Sequence, residues 1–172
     1  MMDRHVFLIG MPGCGKTSLG RRAAREAGAS FTDLDEWIGK AAGKTIPELF
    51  AEYGEAGFRR AETGALVWMT RCRPGVIATG GGAVMNPANR KIMRNWGLIV
   101  LLDRPLENIL EDIRTEDRPL LQGEDGGEKL RALYEKRDPV YRAAADVIIR
   151  NDRGFEEGLA ALTRLIRERN SR

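Results

Sequence analysis

The chain is short of several things, and each shortage removes a class of function. It has two cysteines and a single histidine in 172 residues. Two cysteines are too few for a disulfide-stapled scaffold, and one histidine without a cysteine cluster removes zinc chemistry. A Ser-His-Asp arrangement has no support, so His5 reads as a structural or surface residue. Aromatic residues make up 6%, and the formal net charge is only +3 although the pI is near 9.1. Nucleic-acid recognition needs a dense basic cluster interleaved with stacking aromatics, and none is present. No apolar run approaches the ~20 residues of a membrane span, and the N-terminus enters its first apolar run without a signal-like segment. Internal repeats and low-complexity linkers are also missing. The expectation is a cytoplasmic protein that binds neither membrane nor nucleic acid, with a monomer as the default.

What is present is 42% hydrophobic and 31% charged sequence, enough for one domain with its own core. Five short apolar runs read as buried strands: Val6 to Ile9, Ser30 to Leu34, Val76 to Thr79, Leu98 to Leu102 and Val147 to Ile149. They lack polar alternation, as strands do when helices cover both faces of a parallel sheet. Helical stretches separate them, so the class is α/β. Helix punctuation agrees. Gly28 closes the helix that runs from Ser18 to Ala27, Thr45-Ile46-Pro47-Glu48 is a capping box, and Asn86-Pro87 opens a helix ending near Gly97. The polar stretch from Thr115 to Gly127 reads as a surface loop or a functional flap.

The chemistry starts at Gly10-Met11-Pro12-Gly13-Cys14-Gly15-Lys16-Thr17, a complete G-x-x-x-x-G-K-[ST] phosphate loop between a strand and a helix. Its backbone N–H groups and the helix dipole suit a triphosphate; Lys16 would reach the β/γ-phosphates and Thr17 would hold Mg²⁺. Cys14 inside this loop fits a reducing compartment, since a disulfide there would obstruct the ligand. Phe31-Thr32-Asp33-Leu34-Asp35 ends the second strand. Residues at i and i+2 share a strand face, so Asp33 and Asp35 are expected to project together where ligands bind. One carboxylate would organise Mg²⁺ through water and the other would accept a proton, unless the pair merely caps the next helix. Val76-Ile77-Ala78-Thr79-Gly80-Gly81-Gly82 ends a buried strand in three glycines, which permits close backbone approach to a ligand. Arg59, Arg60, Arg118 and Arg137 are candidates to grip carboxylate or phosphate.

Taken in order, these strings resemble shikimate kinase over nearly the whole chain. The match runs through Gly10 to Ser18, Asp33-Leu34-Asp35, the Ile46 to Glu62 region that ends in Gly54 to Glu62, Thr79 to Gly82, Arg114-Thr115, Arg118-Pro119-Leu120-Leu121 and Arg137 to Tyr141. The resemblance implies a nucleoside-monophosphate-kinase-like fold with a five-stranded parallel sheet of order 2-3-1-4-5. It also implies phosphorylation of the 3-hydroxyl of shikimate by ATP with Mg²⁺. The domain would be single, residues 1–172, with a shikimate-binding helical region about 35–62 and a mobile lid about 115–127. By position, Gly13, Cys14, Gly15, Lys16, Thr17 and Ser18 would cradle the ATP phosphates, with Thr17 and, through water, Asp33 on the metal. Asp35 would bind the shikimate hydroxyls and act as base. Arg59 and Arg137 would clamp its carboxylate beside Gly80, Gly81 and Gly82. Arg118 on the lid would stabilise the transferring phosphate, and Arg114 and Arg153 would flank adenine. Gluconate-type and nucleoside-monophosphate kinases are the alternatives within the fold, and a non-enzymatic nucleotide switch the alternative outside it.

Overall fold

A computed structural model describes residues 2–112, 126–152 and 154–170. Its centre is β1 (His5–Ile9), buried at all five positions. On one side β1 pairs in parallel with β3 (Val76–Ala78), which pairs with β2 (Phe31–Asp33); on the other it pairs with β4 (Gly97–Asp103), which pairs with β5 (Val147–Arg150). The strand order is therefore 2-3-1-4-5, as the sequence led one to expect. Phe7 lies between Ile77 and Ile99 in this register, and all three are essentially excluded from solvent. Continuous apolar runs suit such strands because both faces are covered.

The helices are α1 (Lys16–Glu26), α2 (Leu34–Ala42), α3 (Ile46–Met69), α4 (Pro87–Trp96), α5 (Leu106–Asp112), α6 (Gly126–Ala144) and α7 (Phe155–Asn170). Helix α1 packs on α7 and on the first three strands, while α4 and α6 pack on β4. The contact of α1 with the sheet is close. A Cβ at Gly20 would fall 2.5 Å from the Leu8 side chain and 2.8 Å from the Phe31 ring. The capping box forms as expected: the Thr45 side chain accepts from Glu48 N, and the Glu48 carboxylate accepts from Thr45 N. Asn86 caps α4 through Ala88 N.

Two expectations need correction, the end of the second strand and the end of the flap. The second strand stops at Asp33, so Leu34 and Asp35 open α2 instead of continuing the strand. Helix α3 is not one straight rod: Gly54 adopts φ 65° and ψ 178°, which breaks it into two helical pieces. The expected flap of 115–127 is too long at its end, because Gly126 and Gly127 belong to α6. The rest of that flap lies outside the described residues. Among those described, no helix is long and apolar enough to cross a membrane.

Candidate active site

The phosphate loop is the turn between β1 and α1. Gly10, Gly13 and Gly15 have φ of 141°, 81° and 98°, a region that other residues rarely adopt, so this path requires glycine at these points. Gly15 is the N-cap of α1 and supplies no side-chain cap. The leading amides of the helix are thus left to bind an anion. The Lys16 ammonium donates to the carbonyls of Gly10 (2.9 Å) and Met11 (2.8 Å) and lies 3.7 Å from the Cys14 thiol, itself fully buried. Lys16 is therefore folded onto its own loop, and reaching a β/γ-phosphate means exchanging those carbonyl contacts. The Ser18 hydroxyl donates to Gly15 O at 3.3 Å.

The acidic pair does two jobs from one turn. Asp33 caps α2, its Oδ1 accepting from the backbone N–H of Asp35 (3.0 Å) and Glu36 (3.2 Å). Its Oδ2 accepts from the Thr17 hydroxyl at 2.6 Å. The capping role and the functional role are thus compatible: one oxygen orders the helix while the other faces the phosphate loop. Asp35 reaches the site from the first turn of α2, not from a strand face. The hydroxyl and carboxylate oxygen of Thr17 and Asp33 are hard donors in contact. That suits Mg²⁺, which takes one or two protein oxygens and otherwise keeps water and phosphate. No group of three or more His, Cys, Asp or Glu side chains among the described residues gathers as a metal cage.

The triple glycine is where the charged groups meet. Gly80, Gly81 and Gly82 follow β3, and each lacks a side chain where a functional group sits. A Cβ on Gly80 would lie 2.7 Å from Glu62 Oε1 and 2.8 Å from Asp35 Oδ1. On Gly82 it would lie 2.3 Å from Arg59 Nη2, and on Gly81 3.3 Å from Arg137 Nη1. The sequence suggested that these glycines admit a ligand. In the fold they first admit the side chains that form the site.

Arg59 and Glu62 lie one turn apart on the second piece of α3. Arg59 Nη1 donates to both Glu62 oxygens (3.2 and 3.0 Å), and Nη2 to Glu55 (3.3 Å). Glu62 is fully buried. Loss of hydration raises its pKa from the ordinary 4.5 to about 7, even though Arg59 and Arg137 pull the other way. Thr63, next in sequence, bonds Arg59 O and Asn89 Oδ1, and Asn89 donates to Ala83 O, which fastens α3 to the turn after the glycines. Arg137 is 6% exposed on α6. One turn on, the Tyr141 hydroxyl donates to Gly81 O.

Part of this assembly lines one cleft of about 450 Å³: Pro12, Gly13 and Gly15 to Ser18 of the phosphate loop, together with Asp33, Asp35 and Thr79 to Gly81. Arg114, Arg118 and Arg153 lie outside the described residues. Glu62 and Tyr141 were not among the predicted site residues. The three-residue spacing of Arg59 and Glu62 was the available signal for the first.

A parallel sheet of this order, with a phosphate loop after its central strand and two carboxylates in the cleft beside it, defines a small-molecule kinase of the phosphate-loop type. Comparison narrows the class. Residues 12–167 match the shikimate kinase family, and the chain belongs to it. It is 44% identical over 152 residues to shikimate kinase of Clostridium beijerinckii, covering 88% of each chain. It is 42% identical over 163 residues to that of Thiobacillus denitrificans, covering 94% of this chain and 87% of the relative. Among solved structures, shikimate kinase from Acinetobacter baumannii in complex with shikimate superposes with a TM-score of 0.88 at 37% identity, covering 98% of this chain and 93% of that one.

Proposed function

We propose that this chain transfers the γ-phosphoryl group of ATP to the 3-hydroxyl of shikimate, as a single-domain, cytoplasmic and monomeric enzyme. The observation that carries the proposal is the juxtaposition at the triple glycine. Two arginines and two carboxylates converge on Gly80 to Gly82, and Gly80 and Gly81 share a cleft with the phosphate loop. A small hydroxylated carboxylic acid needs both kinds of group, and the family match and the shikimate-bound relative support that acceptor.

Phosphoryl transfer asks the protein for positioning and charge stabilisation more than for covalent chemistry. In this reading the backbone of Gly13 to Ser18 and the Lys16 ammonium hold the phosphates. Arg59 and Arg137 hold the acceptor carboxylate, with Glu62 aiming Arg59. Asp35, at the start of α2, accepts hydrogen bonds from the acceptor hydroxyls and takes up the proton as the new P–O bond forms. Thr17 and Asp33 would hold Mg²⁺, which offsets the negative charge of the phosphates. Arg118 would close over the transferring group, and Arg114 and Arg153 would flank the adenine.

The test is ADP release with shikimate, quinate, gluconate and nucleoside monophosphates as acceptors. Activity with shikimate and little with the rest is expected. Release with gluconate but none with shikimate overturns the proposal.

A further inference from the structure

We propose that Asn151 and Arg104 are positioning residues of the nucleotide site. From the ends of β5 and β4 they grip two successive carbonyls of the phosphate loop, Arg104 fixing the path of its turn and Asn151 aiming the Gly15 N–H. Arg104 follows β4 and donates from Nη1 to Gly13 O at 3.1 Å. Asn151 follows β5 and donates from Nδ2 to Cys14 O at 3.1 Å. The two anchors are joined, since Asn151 N donates to Asp103 O at 2.7 Å. Arg104 is held in turn by a second bond, from Nη2 to the Asp112 carboxylate at the end of α5.

A peptide unit is planar and trans, so its C=O and its N–H point in opposite directions. Fixing one end therefore fixes the other. The Gly13–Cys14 peptide is held at both ends, by Arg104 on the carbonyl and by the Cys14 N–H donating to Met11 O at 3.2 Å. In the next peptide Asn151 holds the Cys14 carbonyl, which turns the Gly15 N–H away from Asn151. Gly15 lines the cleft. The fit around Asn151 is tight on both sides: a Cβ on Gly15 would lie 3.3 Å from Nδ2, and one on Gly158 of α7 2.9 Å from Oδ1. The loop is flexible by composition, with three glycines at positive φ, and these two side chains supply the orientation that composition withholds.

The inference rests on the kinase reading only in that the loop binds nucleotide phosphate, so its test uses ADP with Mg²⁺ and no acceptor. Calorimetry on the full chain should show ADP affinity lowered about fivefold in Asn151→Ala, the effect of one neutral hydrogen bond. Arg104→Gln, which loses a charge-assisted bond, should lower it about tenfold. Asn151→Asp keeps the shape, removes the donor and turns an anion toward a carbonyl; it should weaken ADP at least as much, and it carries the test if the alanine variant does not fold. In steady state the KM for ATP should rise while the KM for the acceptor stays within about twofold, a split that general loosening of the fold does not produce. ADP affinity unchanged in both Asn151 variants, or a KM for the acceptor that rises in step with that for ATP, overturns the inference. Absence of turnover with shikimate would sink the acceptor assignment and leave the ADP result readable.

Discussion

Glu62→Gln is the substitution whose consequences the structure fixes most fully. The side chain is fully buried, its volume hardly changes, and only the ability to carry charge is lost. Two effects compete at that site. Arg59, 3.0 Å away, favours the carboxylate, while loss of hydration favours the neutral acid. Hydration wins, because the pKa rises from 4.5 to about 7. An acid whose pKa is raised by folding binds its proton more tightly in the folded state. Its contribution to stability is then complete below pH 4.5 and is lost as the pH climbs through about 7. The loss amounts to about 3 kcal/mol for a change of that size. Glutamine stays neutral throughout and escapes it. At pH 5 the variant should melt higher by only about 2–4 °C, since about 1 kcal/mol of the loss is already felt half a unit above 4.5. By pH 8 the variant should melt higher by about 6–12 °C, since about 1 kcal/mol moves the midpoint of a domain this size by about 2–4 °C. The assay is thermal unfolding followed by circular dichroism from pH 5 to 8 at constant ionic strength. All other titrating groups are shared, so the difference between the two curves isolates this one. Parallel curves would refute the reasoning. The same variant should bind shikimate less well, because Arg59 loses the partner that aims it. A more stable and less able enzyme is thus expected above neutrality.

Gly82→Ala should raise the KM for shikimate about tenfold and leave ADP affinity unchanged in a binding assay, because the new methyl would sit 2.3 Å from Arg59 Nη2 and displace a charge-assisted contact. Asp33→Ala removes a helix cap as well as the partner of Thr17, so it should lower stability by about 1 kcal/mol and weaken Mg²⁺ dependence of turnover; a variant as stable as the parent in urea titration would count against the cap. His5 is buried and accepts from Gly75 N, and burial lowers its pKa, so its stabilising contribution is present above the ordinary 6.5 and fades as the pH falls below it. His5→Gln should make the acid limb of the stability profile shallower, which denaturant titration at pH 5 and 7 measures. Tyr141→Phe should cost about 1 kcal/mol through the lost bond to Gly81 O, read from the same titrations.

The strands were legible because parallel strands covered on both faces need unbroken apolar runs, and each run identified became a strand within a residue or so of its bounds. The phosphate loop was legible because its geometry admits few residues. Asp33 and Asp35 were found for an incomplete reason: the period-two rule assumed a strand, while the chain turns into α2 between them, and the capping preference of Asp produced that turn. Glu62 left only a faint trace in its spacing from Arg59, since nothing local reveals that Gly80 lies beside it. Arg104 and Asn151 left none. They meet the loop across 91 and 137 residues of sequence, a distance over which only the finished fold speaks.

The three glycines after β3 act as a mould cast in negative, with consequences for how the protein can vary. Specificity there is stored in matter left out, and the smallest possible addition at Gly80 or Gly82 already lands on a charged group of the site. At these positions even alanine, the nearest neighbour of glycine, fits only after the tip of Arg59, Glu62 or Asp35 has moved from its place in the site. Redesign toward a bulkier or differently charged acceptor must therefore start from the long side chains that fill the mould, Arg59 and Glu62 on α3, which can be shortened or exchanged by degrees.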